Sequence, residues 1–179
     1  MVHHLTELIN TVYDDAESDL WQEAVARTDP DEVAASIAAG QIIVARRIGG
    51  GDADDGGANV GEGADGPVIG VVQAHATNGR GWFGMLAVDL RHRGEGVGRR
   101  LVRAAEELTA DAGAAEIEIS VIMTTNESFA PKVELAQWYQ RLGYDLAETV
   151  SVAQSVPGLE ELLAVPCHMQ ILRKALSST

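Results

Sequence analysis

The chain has 179 residues, 46% of them hydrophobic, which suits one domain (1–179) with a sizeable core. Its 27 Asp+Glu against 13 Lys+Arg leave a formal net charge of -14, which argues against nucleic-acid binding, because that needs positive surface to displace counterions. No apolar run is long enough to cross a bilayer, the start Met1-Val2-His3-His4 is no signal peptide, and the single Cys167 excludes an internal disulfide framework, so the expectation is a cytoplasmic protein.

Leu5, Leu8, Ile9, Val12 and Tyr13 share one helical face, and Leu20, Trp21, Ala24 and Val25 continue the pattern after an acidic break at Asp14-Asp15. Two helices, or one bent helix, are expected there. Asp29-Pro30-Asp31-Glu32 starts a short helix that Gly40 ends, and Gln41 to Ile48 reads as a strand. The stretch from Gly49 to Gly66 is rich in Gly and Asp with almost nothing to bury, and predicts a flexible hairpin insertion. Calcium binding is the less favoured reading, since the stretch is one irregular copy without a register of oxygen ligands.

Val68 to Thr77 and Gly81 to Val88 are strands joined by the hairpin signal Asn78-Gly79. A lone His75 in the first of them is read as a surface or hydrogen-bonded residue rather than a base. A helix follows, in which Val97, Leu101, Ala104, Ala105 and Leu108 recur at helical spacing, and then Glu116 to Val121 alternates as a strand. Strand, helix, strand implies parallel pairing. Pro131 opens a helix carrying Trp138 and Tyr139 that Gly143 caps; Tyr144 to Ser151 is a strand, Leu159 to Leu163 a helical turn, and Cys167 to Leu172 a last strand.

Local charge reverses at Arg91-His92-Arg93-Gly94-Glu95-Gly96-Val97-Gly98-Arg99-Arg100. Arg91, Arg93, Arg99, Arg100 and Arg103 crowd a helix N-terminus that already presents unpaired N–H groups and the positive pole of the helix dipole. An anion is the natural partner, and Gly94, Gly96 and Gly98 let a phosphate approach the backbone. A dinucleotide fingerprint has a different glycine spacing, and the preceding hairpin does not suit that fold.

Arg93, Gly96 and Gly98 after a Leu86-Ala87-Val88 strand, with Tyr139 followed by Gly143-Tyr144, resemble the GCN5-related N-acetyltransferase family from about Gly81 to Tyr144. The resemblance implies an α/β fold with a mixed, mostly antiparallel sheet of six to seven strands, about four helices and a parallel strand-helix-strand unit at the glycine loop. It implies acetyl-coenzyme A (acetyl-CoA) as cosubstrate and direct acetyl transfer to a small-molecule or peptide amine. A non-catalytic acyl-CoA-binding module is the alternative, and a homodimer is one option for assembly.

By the same resemblance, the backbone of Leu86, Ala87 and Val88 would pair with the pantetheine arm, and Arg93, Gly94, Gly96, Val97, Gly98 and Arg99 would cradle the pyrophosphate. Tyr139 would protonate the departing thiolate, so Cys167 is not needed as a nucleophile and is read as a core thiol. Family members place an Asn about seven residues ahead of the tyrosine, against the cofactor arm; here Asn126 lies farther upstream, in a longer loop from Thr124 to Lys132 that supplies that contact or shapes the acceptor site.

An ammonium acceptor must lose its proton at pH 7, at a cost of roughly 4.6 kcal/mol for a lysine-like group. Glu118 is the first choice for the base because it sits mid-strand, ahead of Ser120 and Asp89. A net charge of -14 draws in cations, and the basic cluster is committed to the cofactor, so a cationic acceptor is expected; an acidic proteome would explain the charge as well.

Overall fold

The computed structural model describes residues 1–23, 25–47, 58–60, 66–126 and 129–176. Seven strands form one sheet in the order β2-β1-β3-β4-β5-β7-β6. They are β1 (Ile42–Arg47), β2 (Ala58–Val60), β3 (Val68–Thr77), β4 (Arg80–Val88), β5 (Glu116–Thr124), β6 (Asp145–Ser151) and β7 (Cys167–Ala175). Among the described residues β4 and β5 pair in parallel, and the other pairs are antiparallel. The mixed sheet expected from the sequence is therefore present. Most of the Gly/Asp-rich stretch lies outside the described residues, and Ala58–Val60 within it pairs with β1.

Helix α1 (Val2–Glu17) runs straight through Asp14-Asp15, because both acids face solvent while Leu5, Ile9 and Val12 are buried. This corrects the expected break. The chain then makes a 3-10 turn at Ser18–Leu20, and Leu20 and Trp21 leave the helix pattern for the other end of the sequence. Trp21 bridges Leu163, and Leu20 is buried with Ile122, Val152, Leu163 and Met169. Helix α2 (Pro30–Ala38) starts as its sequence dictates, with the Asp29 carboxylate accepting from the N–H groups of Asp31 and Glu32 at 2.9 Å.

Helix α3 (Val97–Asp111) connects β4 to β5, and α4 (Ala130–Arg141) connects β5 to β6. A one-turn helix, α5 (Val152–Ser155), was not expected. The layers are distinct. Leu5, Ile9 and Val33 of α1 and α2 pack with Val71, Met85 and Ala87 on one face. Val97, Leu101, Ala105, Ala136 and Tyr139 of α3 and α4 pack with Phe83, Ile117 and Ile119 on the other. Full burial of each large aliphatic or aromatic side chain contributes about 1.5–3 kcal/mol.

Candidate active site

Strand β4 pairs with β5 only over Arg80–Trp82 and Glu116–Glu118. Beyond that point β4 runs on to Val88 and β5 to Thr124 without pairing to each other, so the sheet parts between them. Met85 helps to explain this. Its φ of 49° puts a non-glycine residue in the left-handed region, and the register against β3 shifts between Val71 and Gln73. A bulge of this kind bends the strand and re-aims its side chains. Met85 and Ala87 face α1, whereas Leu86 and Val88 face α3 and α4. The β4 edge from Phe83 onward is left without a strand partner on the β5 side.

The glycine loop sits at the C-terminal end of β4, at the mouth of this parting. Gly94 and Gly96 have φ of 84° and 76°, and a Cβ added at either would meet nothing within 4 Å, so space lies open in front of them. Gly96 caps α3 with no side-chain hydrogen bond, and the first N–H groups of Val97, Gly98 and Arg99 precede the first intrahelical bond, Arg100 N–H to the Gly96 carbonyl at 3.2 Å. Gly98 lies close to α4, where an added Cβ would stand 3.7 Å from the Trp138 ring.

The arginines are less free than the sequence implies. Arg91 pairs with Asp89 at 2.6 Å, which holds that carboxyl down to about 2. Arg93 pairs with Asp15 of α1 at 2.9 Å, and Arg103 with Glu107 at 3.1 Å. Among the described residues Arg99 has no ion pair; it lines a surface cleft of about 270 Å³ with Arg103, Glu106 and Lys174.

Tyr139 lies on the inward face of α4 with Lys132 and Ala136, 3% exposed and edge-on to Phe83 at 5.8 Å and to Tyr144 at 5.9 Å. Its hydroxyl has no hydrogen-bond partner among the described residues. Burial, and then the nearby Tyr13, push its pKa well above the usual tyrosine value. The Tyr144 hydroxyl, by contrast, donates to Glu106 at 2.8 Å, so Tyr144 is the structural member of the pair.

Glu118 does not join this group. It stands opposite Trp82 at the closed end of the parting, six residues or about 20 Å of strand from Val88. Its carboxylate is taken by Arg173 at 2.9 Å and lies 3.8 Å from Arg80. The structure thus places the Glu118 carboxylate in an ion pair at the closed end, away from the glycine loop. Strand alternation showed the face Glu118 points to, but not the arginines arriving from β4 and β7. Asn126 is exposed in the turn after β5, and Lys132 is the residue seven positions ahead of Tyr139. Cys167 is half-buried against Leu20 and Met169, with its thiol facing the Val165 carbonyl at 3.4 Å.

Sequence reasoning missed a buried ion pair. Lys132 of α4 and Glu17 of α1 are 5% and 6% exposed and joined Nζ to Oε1. The pair joins a helix on one face of the sheet to a helix on the other. Helical spacing carried a trace of it, since Lys132 shares a face with Tyr139 and Glu17 follows Tyr13 by four residues.

A mixed sheet parted beside a glycine loop and a helix N-terminus defines an acyltransferase architecture. The chain belongs to the GNAT acetyltransferase family, whose acetyltransferase (GNAT) domain model matches residues 38–146. Solved structures share the fold. An aminoglycoside 6'-N-acetyltransferase complexed with coenzyme A is 15% identical with a TM-score of 0.61, covering 96% of this chain and 91% of its own. A Mycobacterium tuberculosis protein in complex with coenzyme A is 13% identical with a TM-score of 0.60, covering 99% and 96%. A ribosomal-protein-alanine N-acetyltransferase from Brucella melitensis is 14% identical with a TM-score of 0.59, covering 98% and 96%. No curated protein sequence matches the chain. Among the described residues no helix is long and apolar enough to cross a membrane.

Proposed function

We propose that the protein transfers the acetyl group of acetyl-CoA directly to the amine of a cationic acceptor. The parting of β4 from β5 beside the glycine loop carries this reading, because it joins an open strand edge to an anion-accepting helix end. Coenzyme A supplies an activated thioester and a pyrophosphate, and the residues present suit both. The β4 backbone beyond Trp82 is free to hydrogen-bond an extended amide-bearing arm. The open space at Gly94 and Gly96 and the first N–H groups of α3 suit the pyrophosphate. The family match and the similarity to structures solved with coenzyme A support the same assignment.

Within this reading Tyr139 packs against Phe83 of the unpaired β4 stretch, with a hydroxyl that has no hydrogen-bond partner among the described residues. Like any tyrosine it is protonated at physiological pH, and burial raises its pKa further. The departing thiolate, whose thiol has a pKa near 8.5, is stabilised by a hydrogen bond from that hydroxyl as the C–S bond breaks, and the proton the amine releases balances the one the thiolate finally takes up. The amine's proton leaves to solvent or to a carboxylate. Acids crowd the C-terminal end of α1, where Asp14, Asp15 and Asp19 are exposed, and their field favours a cation.

Release of free coenzyme A thiol over a panel of cationic, neutral and anionic acceptors at matched concentration tests the reading. Saturable turnover of cationic amines is expected. Preference for neutral or anionic acceptors would refute the cationic assignment, and background rates throughout would refute the transfer itself.

A further inference from the structure

The Lys132–Glu17 pair has no stability reason to exist. Two charges removed from water are costly, and a well-packed apolar pair at such a place is commonly as stable or more so. The pair also leaves capacity unused. An ammonium has three donors and a carboxylate about four acceptor positions. Among the described residues, though, Lys132 Nζ contacts only Glu17, and only one Glu17 oxygen is engaged. The other oxygen is free to receive a second N–H donor.

Its location supplies the rest. Lys132 projects from the first turn of α4 on the face that carries Tyr139, and that helix starts beside the open end of β5, where the Phe129 N–H donates to the Thr124 hydroxyl at 3.4 Å. Glu17 ends α1 on the opposite face of the sheet, one turn after Tyr13. Lys132, on the α4 face of Tyr139, and Glu17, one turn after Tyr13 on α1, thus join the elements that carry four polar side chains across the two helix layers. Glu17 is the only carboxylate of the four. Around it Arg27 covers the Tyr13 ring at 5.3 Å, and Asp14, Asp15 and Asp19 are exposed.

The geometry points to Glu17 as the carboxylate that receives the acceptor's ammonium group, with Lys132 as its positioning partner. Lys132 holds the carboxylate by one oxygen and leaves the other for the incoming N–H donor. This deepens the cationic-amine reading and rests on it. A primary or secondary ammonium fits, since it has donors to spare for the free oxygen; a quaternary ammonium has none. Glu17 touches the substrate, whereas Lys132 acts through Glu17.

The test separates recognition from mere structure, because breaking the pair from either side disturbs the fold alike but removes the ammonium's partner from one side only. Spermidine is titrated calorimetrically into the protein saturated with coenzyme A, for wild type, Glu17→Gln, Lys132→Met and the double variant Glu17→Gln/Lys132→Met. Glu17→Gln and the double variant are expected to lose spermidine affinity about tenfold or more, the scale of one charged hydrogen bond. Lys132→Met is expected to keep that affinity or tighten it, because its carboxylate is then unshared. Because the double variant buries no unpaired charge, its folding keeps the comparison decisive should a single variant unfold.

Equal losses in Lys132→Met and Glu17→Gln, or full affinity in the double variant, would overturn the assignment while leaving the cationic-amine reading intact. Failure of the wild type to bind spermidine, together with turnover only of uncharged acceptors, would overturn both.

Discussion

At the residue scale, Tyr139 is the sharpest case. A hydroxyl of a buried tyrosine without a hydrogen-bond partner among the described residues adds no stability by hydrogen bonding to them, and its desolvation has a cost. Tyr139→Phe is therefore expected to leave the thermal midpoint unchanged or slightly higher, to keep cofactor affinity, and to slow turnover about 10²-fold, the scale of a lost positioned acid. Calorimetry and steady-state rates on one preparation check all three. A variant that turns over like wild type would make the tyrosine a packing residue. Its position was legible because Tyr139, Gly143 and Tyr144 lie within six residues. Lys132 and Glu17 were not, since they are 115 residues apart and neither type announces burial. The ion-pair partners of Glu118 were hidden for a similar reason, since they lie on β4 and β7.

At the scale of elements, the glycine loop and α1 interact. Arg93, expected at the pyrophosphate, is held by Asp15 across a surface ion pair at 2.9 Å. Exposed pairs of this kind contribute about 0.2–1 kcal/mol, so Asp15→Asn is expected to tighten coenzyme A binding by no more than about fivefold. Arg93→Ala is expected to weaken it, and both effects should shrink as salt rises. An Asp15→Asn affinity equal to wild type at low salt would show that Arg93 does not reach the cofactor.

Most elements were readable from local chemistry: the Asn78-Gly79 turn has both residues at positive φ, and Asp29 caps α2. The misses have local and distant causes. Ser151 and Gln154 form a capping box that starts α5, a signal present in the sequence and overlooked. Leu20 and Trp21 left the helical pattern because Leu163, far along the chain, offered a better partner. The bulge at Met85 left only a weak trace in the sequence: Gly84 beside it is a residue that marks bulges, but methionine does not favour a positive φ.

At the scale of the whole molecule, burial raises the pKa of all three tyrosines, Tyr13, Tyr139 and Tyr144. The sign follows directly. Each stays neutral in the folded protein and ionises at about 10 once unfolded, so its stabilising share is complete below pH 10 and is lost as pH rises above it. Above that point stability should fall by about 1.4 kcal/mol per pH unit for each of Tyr139 and Tyr144. Tyrosinate absorbance should appear together with loss of secondary structure. Tyrosinate formed near pH 10 in a still-folded chain would contradict the burial of these hydroxyls.

The central claim is acetyl transfer to an amine nitrogen within the parting of β4 and β5. Mass spectrometry of spermidine recovered after incubation with protein and acetyl-CoA tests it most directly. The account predicts spermidine carrying an acetyl group on nitrogen, in an amount that falls sharply with Tyr139→Phe. Coenzyme A bound tightly beside unmodified spermidine and unmodified monocationic amines would contradict it.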